Sequence, residues 1–487
     1  MSDAQAATAL CVSPFDVGGK AQLFIDQVLV RSSQGVSFTL HPARKHPDNP
    51  LIKVDKPWEG WRLEIYGSVI YDEEEKLFKM WYLAEAPGYF GCGAPTFYAT
   101  SRDGVHWEKP LVGTAASAKV EKHNCVVGDA HLASVIKDNN DPDPSRRYKM
   151  ICWDCRRRGY HTKVSPDGLT WTDFSQDPIS PGADVITGYY DRERKLYVAL
   201  PKIGTDVRGH NRRCFYIITS TDFVNWSKPR PAIFPDLRDD AGSFARIEEA
   251  RPILDVPDDP SQVRTEFYGV GAYTQESCTI AFPWVFTINA MNRYKNNQEG
   301  PSEIQLAVSR DLAEWERPFR VPCIPRGKMG EWDCGWFNTA ASALRVGDEV
   351  WLYYQGSNYT HGTPCVYENT GRLSRFTNSI GLAIWPLDRF VSVDAPAEGG
   401  TLTTVPIVFS GRRLELNAAT HDGGRITVDI LDPLAERSLS RSEPFSGDEL
   451  RATLKWRGRD PASLAGKAVA LRFAITNGEL YSFAFRQ

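Results

Sequence analysis

Short apolar runs separated by charged turns recur along most of the chain, and they come in sets. The first set is YGSVIYD (66–72) and LFKMWYLA (77–84), either side of the acidic turn 73–75. LASVIKD (132–138) with RYKMICW (147–153), and ITGYYD (186–191) with KLYVAL (195–200), make the second and third. FYGVGAY (267–273) with CTIAFPWVF (278–286), and NTAASALRV (338–346) with EVWLYYQG (349–356), make the fourth and fifth. Alternating or wholly apolar runs of this length predict antiparallel strands, and no stretch carries an amphipathic helix of ordinary length.

Each set is followed by one copy of a hairpin signature: ATSRDGVHWEKP (99–110), KVSPDGLTWTDF (163–174), ITSTDFVNWSKP (218–229), AVSRDLAEWERP (307–318) and the degraded LAIWPLDRFVSV (382–393). The acids Asp103, Asp167, Asp222, Asp311 and Asp388 are spaced by 64, 55, 89 and 77 residues, too irregular for a solenoid but suited to blades with variable loops. Ser and Asp side chains cap backbone amides in a tight turn, and Gly104 and Gly168 supply positive φ. The repeat therefore reads as structural. Five three-stranded meanders, each ending in the same hairpin, predict an all-β fold: a five-bladed β-propeller over 21–395 followed by a C-terminal β-sandwich over 396–487. The sandwich is read from RLELNAAT, RITVDIL, LRATLKW, AVALRFAI and ELYSFAF, which alternate between Gly, Asp or Asn turns. Residues 1–20 read as a tail, and LFIDQVLV (23–30) as a strand closing the last blade.

Composition narrows the function. A net charge of −4 offers no field for nucleic acid or anionic lipid, and the apolar stretch 278–288 is too short to span a bilayer. The first 19 residues lack a basic region followed by an apolar core, so the expected location is cytoplasmic. Cys152 and Cys155 form the C-x-x-C of the chain inside a strand-like run, which reads as reduced structural thiols.

Inner strands of a propeller converge on an axial funnel, so chemistry is expected at their starts. Arg62-Leu63-Glu64-Ile65-Tyr66-Gly67 opens the first blade and its near copy Arg264-Thr265-Glu266-Phe267-Tyr268-Gly269 the fourth. Period-two alternation places Glu64 with Tyr66, and Glu266 with Tyr268, on one face. Asp129 with His131 precedes the second inner strand, Asp184 opens the third and Asp333 precedes the fifth. The catalytic candidates are Glu64, Asp184 and Glu266, with Asp26, Asp129 and Asp333 as substitutes. Several carboxyls in one low-dielectric funnel push their pKa values apart, which supplies the protonated acid and the ionised partner that glycoside cleavage needs. Tyr66, Trp61, His131, Tyr268, Trp336 and His361 are the candidate sugar-binding residues. For each acid the alternative is an ion pair, such as Glu64 with Arg62; for each aromatic it is blade packing. No cofactor is required by this chemistry, while a structural metal ion in the axial channel stays open. The expected partner is a carbohydrate or glycoside, with no nucleic acid and no membrane.

The signature ATSRDGVHWEKP, preceded by YGSVIYD and KMWY, resembles the strand grammar of the five-bladed propeller glycoside hydrolases, the superfamily of families 32, 43, 62 and 68, over about residues 20–395. The resemblance implies an axial site of three acids and hydrolysis of a glycosidic bond, often of a furanoside such as a fructoside or arabinoside; the terminal domain is similar to the sandwich of family 32. The chain departs from those families in having no W-M-N-D-P-N-G, no R-D-P and no E-C motif, and Glu64-Ile65-Tyr66-Gly67 replaces the D-P-x-I/V opening of family 43. SPDGLTW also resembles the Asp box of sialidases, one residue shorter, but those have six blades. A non-catalytic glycan-binding propeller and a glycoside phosphorylase or transferase are the competing readings.

Overall fold

A computed structural model describes residues 13–487 apart from 87, 92, 118, 255, 292–296 and 364–374. The strand sets predicted above form five sheets. Blade one is Leu63–Asp72, Leu77–Ala84 and Thr96–Ser101, with Trp107–Glu108 and Cys125–Val127 on its outer edge. Blade two is Ala130–Lys137, Tyr148–Asp154, Gly159–Ser165 and Thr172–Asp173; blade three is Ile186–Asp191, Leu196–Val207, His210–Ser220 and Arg230–Ile233. Blade four is Arg264–Thr274 and Thr279–Ile288 with the short outer strands Ser302–Ile304 and Ala307–Ser309. Blade five is Phe337–Thr339, Glu349–Ser357, Asn378–Pro386 and Arg44–Lys45.

Each inner strand lies against the next, and the fifth returns to the first, which closes a five-membered ring. Small polar groups stitch it at the axis. Ser68 Oγ accepts from Val135 N at 2.8 Å, and Ser134 Oγ accepts from Gly188 N at 2.9 Å. Thr187 donates to the Val270 carbonyl, and Ala341 N donates to the Gly67 carbonyl at 2.8 Å. Farther out, Tyr148 of blade two donates to Asp72 of blade one at 2.6 Å, where Lys79 and Lys137 also bind. The same latch recurs one blade on, with Tyr197, Asp138 and Lys149. Asp72 is fully buried, and these cations hold its carboxyl far below the usual range despite that burial.

Four hairpins share one geometry. Ser101 Oγ accepts from Gly104 N at 2.8 Å, and Asp103 Oδ1 accepts from the amides of Val105 and His106, both at 2.8 Å. Asp167, Asp222 and Asp311 repeat the double contact. The residue after each Asp has positive φ: 77° at Gly104, 79° at Gly168, 65° at Phe223 and 64° at Leu312. Gly104 and Gly168 are confined by neighbours, since a Cβ would stand 2.7 Å from Trp351 and 2.8 Å from Trp81 respectively. Phe223 and Leu312 instead bury their side chains, at 1% and 2% exposure, and that apolar burial offsets the left-handed backbone.

The fifth copy departs from this plan. Its first strand, Asn378–Pro386, stays in blade five, but its second, Val391–Ala395, pairs with Ala470–Arg486 and Ser37–Leu40. The chain accordingly divides into residues 42–386, the propeller, and a second unit of residues 13–41 with 387–487. The boundaries expected at 21 and 395 move for a physical reason. LFIDQVLV does not close the ring: Gln22–Leu23 pairs with Ala470–Arg486, and Phe24 packs in the core of the second unit. Ring closure falls to Arg44–Lys45, paired with Ala383 and Ile384. Phe15–Gly18, within the expected tail, pairs in parallel with Ile407–Phe409.

In the second unit, the long strands Arg413–Leu431 and Ala470–Arg486 run antiparallel at the centre of a ten-stranded sheet around an apolar core that includes Phe409, Phe473, Phe483 and Phe485. The helices among the described residues are short. Leu237–Ala241 and Ser243–Glu249 lie between blades three and four in the chain, with a capping box between Asp236 and Asp239 at the start of the first. No helix of the described residues is long and apolar enough to cross a membrane.

Candidate functional site

On the propeller axis the inner strands leave a cavity of about 130 Å³, the scale that admits one six-membered ring. Glu64 and Tyr66 of blade one, His131 and Leu132 of blade two, Asp184 at the start of blade three and Tyr268 of blade four line it, with Trp336, Gln355 and His361 from blade five and its loops. The strands aim these side chains by irregularity. Register shifts fall between Glu64 and Ser68, between His131 and Ser134, and between Phe267 and Val270, each at the cavity. Leu132 at φ 60° and Asp184 at φ 71° are left-handed without being glycine. Such strain persists where the surrounding structure over-determines it, and here both residues face one cavity.

The two carboxyls of the cavity sit in opposite environments. Glu64 is buried, and its cation, Arg62, stands 3.4 Å away while making a closer 3.0 Å contact with Glu85. Burial pushes the Glu64 carboxyl up to about 7; Arg62 and His131 pull it down, while Glu85 and Asp184 add to the rise. Asp184 keeps 39% of its side-chain surface exposed and holds Lys202 at 2.5 Å. Burial works against its charge, yet the attraction and hydrogen bond of Lys202 prevail and keep its carboxyl below the usual range. The result is one carboxyl poised to hold a proton and one held ionised, in a single cavity.

Aromatic rings build the walls. Tyr66 stacks on Trp284 with centroids 5.2 Å apart, and Gly67, next to it, allows the backbone to approach Trp81, whose carbonyl oxygen would lie 1.9 Å from a Cβ. Tyr268 meets Trp336 edge-on at 5.0 Å and carries the Lys202 ammonium 4.2 Å from its ring centre. His361 packs 4.8 Å from Trp336 and 5.0 Å from Tyr268. Burial there pushes the imidazole pKa down to about 3, so the ring is neutral.

The remaining candidates lie elsewhere. Glu266 does not follow Tyr268 into the cavity: it is 1% exposed and clamped by Arg213 at 2.6 Å and Arg264 at 2.7 Å, and the register shift beyond Phe267 turns Tyr268 away from it. Asp333 is buried against Lys45 at 2.6 Å and the Tyr354 hydroxyl at 2.8 Å. Asp129 pairs with Arg156 and, at 3.6 Å, with Lys163. Asp26 belongs to the second unit. Trp61 packs edge-on against Phe376, which lines the cavity in its stead. The sequence reading missed Lys202 and Gln355, and gave Arg62 only as an ion-pair alternative for Glu64. A lysine in the second strand of blade three, just past its apolar run, was the sequence signal for Lys202. Among the described residues no group of three or more His, Cys, Asp or Glu side chains is arranged to hold a metal ion.

No family model matches the chain, and no curated protein matches it significantly. Solved structures do. A β-1,2-mannobiose phosphorylase from Listeria innocua, in complex with β-1,2-mannobiose, is 12% identical with a TM-score of 0.41, covering 71% of this chain and 97% of its own. An N-acetylgalactosamine deacetylase from F. plautii is 14% identical with a TM-score of 0.40 over 77% and 95%. A putative glycoside hydrolase from Bacteroides ovatus is 13% identical with a TM-score of 0.42 over 72% and 98%. Likenesses at this level leave the chemistry of the site to its own geometry.

Proposed function

We propose that the axial cavity cleaves a glycosidic bond, with Glu64 as the general acid and Asp184 as the ionised carboxylate facing the anomeric carbon. The observation that carries this reading is the pair itself: two carboxyls lining one ring-sized cavity, one starved of a close cation and the other paired at 2.5 Å. Glycoside cleavage needs that asymmetry, because the leaving oxygen must receive a proton while positive charge on the sugar ring meets a negative group. Lys202 keeps Asp184 ionised. Burial keeps the proton on Glu64 near neutrality, and the Tyr66 and Tyr268 rings exclude water from the reacting bond. Glu266 supports from behind, by holding Arg213 with its guanidinium 5.0 Å from the Tyr268 ring centre.

Screening aryl furanosides and pyranosides against wild type, Glu64→Gln and Asp184→Asn tests the assignment. Hydrolysis by wild type with losses of at least about 100-fold in both variants is expected. Full turnover by both variants overturns the roles of Glu64 and Asp184. Sugar binding by a wild type that turns over no member of the panel favours the glycan-binding alternative.

A further inference from the structure

One wall of the cavity carries polar atoms that the catalytic pair does not use. His361 Nδ1 lies 2.9 Å from the Gln298 backbone carbonyl, an oxygen that only accepts, so Nδ1 carries the proton and Nε2 is left as a lone pair. His361 lines the cavity, and Nε2 has no hydrogen-bond partner among the described residues. Beside it in blade five, Gln355 is fully buried yet lines the same cavity. Its Oε1 accepts from Asn338, and its Nε2 has no partner. A buried amide N–H left unpaired is unfavourable, and a ligand oxygen relieves it.

We propose that His361 Nε2 and Gln355 Nε2 are the recognition pair of the cavity, the first accepting a hydrogen bond from a sugar hydroxyl and the second donating to a sugar oxygen, so that the site selects a neutral, hydroxyl-bearing glycosyl ring. Both atoms are held before ligand arrives, His361 by the Gln298 carbonyl and its aromatic neighbours, Gln355 by Asn338. A ring that lacks the hydroxyl leaves the buried Gln355 amide or the His361 lone pair unmatched, and a carboxylate or phosphate presented to His361 meets a lone pair rather than a donor. The inference rests on the glycoside reading only for the ligand being a sugar.

Its test reads binding rather than turnover. Calorimetric titration of the full chain with the methyl glycosides of common hexoses and pentoses identifies those that bind. The monodeoxy analogues of each binder are then titrated into wild type, His361→Phe and Gln355→Met, with thermal unfolding as the check that both variants fold. Each variant is expected to weaken the parent sugar about fivefold or more, yet to leave unchanged one monodeoxy analogue that wild type already binds weakly. Equal weakening of the parent and every analogue, or no binding by any methyl glycoside, overturns the proposal. Binding with the expected pattern but no hydrolysis of aryl glycosides overturns only the catalytic reading.

Discussion

Glu64 is set apart from the other acids by what it lacks. Asp333 and Glu266 each touch a cation within 2.7 Å, whereas Arg62 stands 3.4 Å from Glu64 and divides its charge with Glu85. A pKa of about 7 predicts turnover that falls as pH rises through neutrality, because the general acid loses its proton. Glu85→Gln removes a negative neighbour and frees Arg62 for Glu64, so this basic limb is expected to move to lower pH. Arg62→Met should move it higher. pH–rate profiles of the two variants, shifted in opposite directions, check the assignment. Asp333→Asn and Glu266→Gln should keep the wild-type limb while lowering the unfolding midpoint, since both remove ion-pair partners from buried arginine or lysine contacts.

The hairpin is the element that organises the propeller, and its turn tolerates two solutions. Gly104 and Gly168 adopt positive φ where a Cβ would strike a tryptophan, while Phe223 and Leu312 adopt it with buried side chains. Gly168→Ala is therefore expected to destabilise by about 1–3 kcal/mol through overpacking and strain. Phe223→Gly gains backbone ease but empties a site packed by Tyr197, Phe174 and Trp226, and should cost about 3–5 kcal/mol. Chemical denaturation of the two variants decides whether clash or burial dominates each turn.

For the molecule as a whole, ring closure and proton linkage both bear on stability. Arg44–Lys45 closes blade five, and Asn49 adds a side-chain imitation of strand pairing, its amide bonding the Leu382 N–H at 2.9 Å and carbonyl at 3.0 Å. Lys45→Met removes the partner of Asp333, a carboxylate 2% exposed, from the strand that makes this closure, so a loss of about 3–5 kcal/mol is expected by calorimetry. Glu64 contributes oppositely to an ion pair. The folded protein holds its proton more tightly than an unfolded chain titrating near 4.5, so the contribution of Glu64 to stability is greatest below that pH and declines until about 7, opposite to His361, whose lowered pKa favours folding as pH rises. This contribution amounts to about 3 kcal/mol and is absent from Glu64→Gln, so the stability of wild type relative to the variant should fall by that amount between pH 4 and 8 in thermal unfolding.

The blades were legible because each strand set repeats a local pattern: apolar runs of fixed length, a charged turn, and a Ser-x-Asp hairpin whose hydrogen bonds close within a few residues. The same locality explains why Glu64, Tyr66, His131, Asp184, Tyr268, Trp336 and His361 could be named from the sequence, since all sit at or near inner-strand starts or the blade-five loops, and why it could not separate them from Glu266, Asp333, Asp129, Asp26 and Trp61, which do not line the cavity. Three decisions required tertiary structure. Whether an acid faces the cavity or an arginine depends on register shifts and on partners from other strands, as Glu266 and Arg213 illustrate. Whether residues 21–41 close the ring depends on competition for an edge strand, won by residues 44–45. The third is charge state: Glu64 and Asp184 are both carboxyls at the start of an inner strand, and only burial on one side and Lys202 on the other make them chemically unlike.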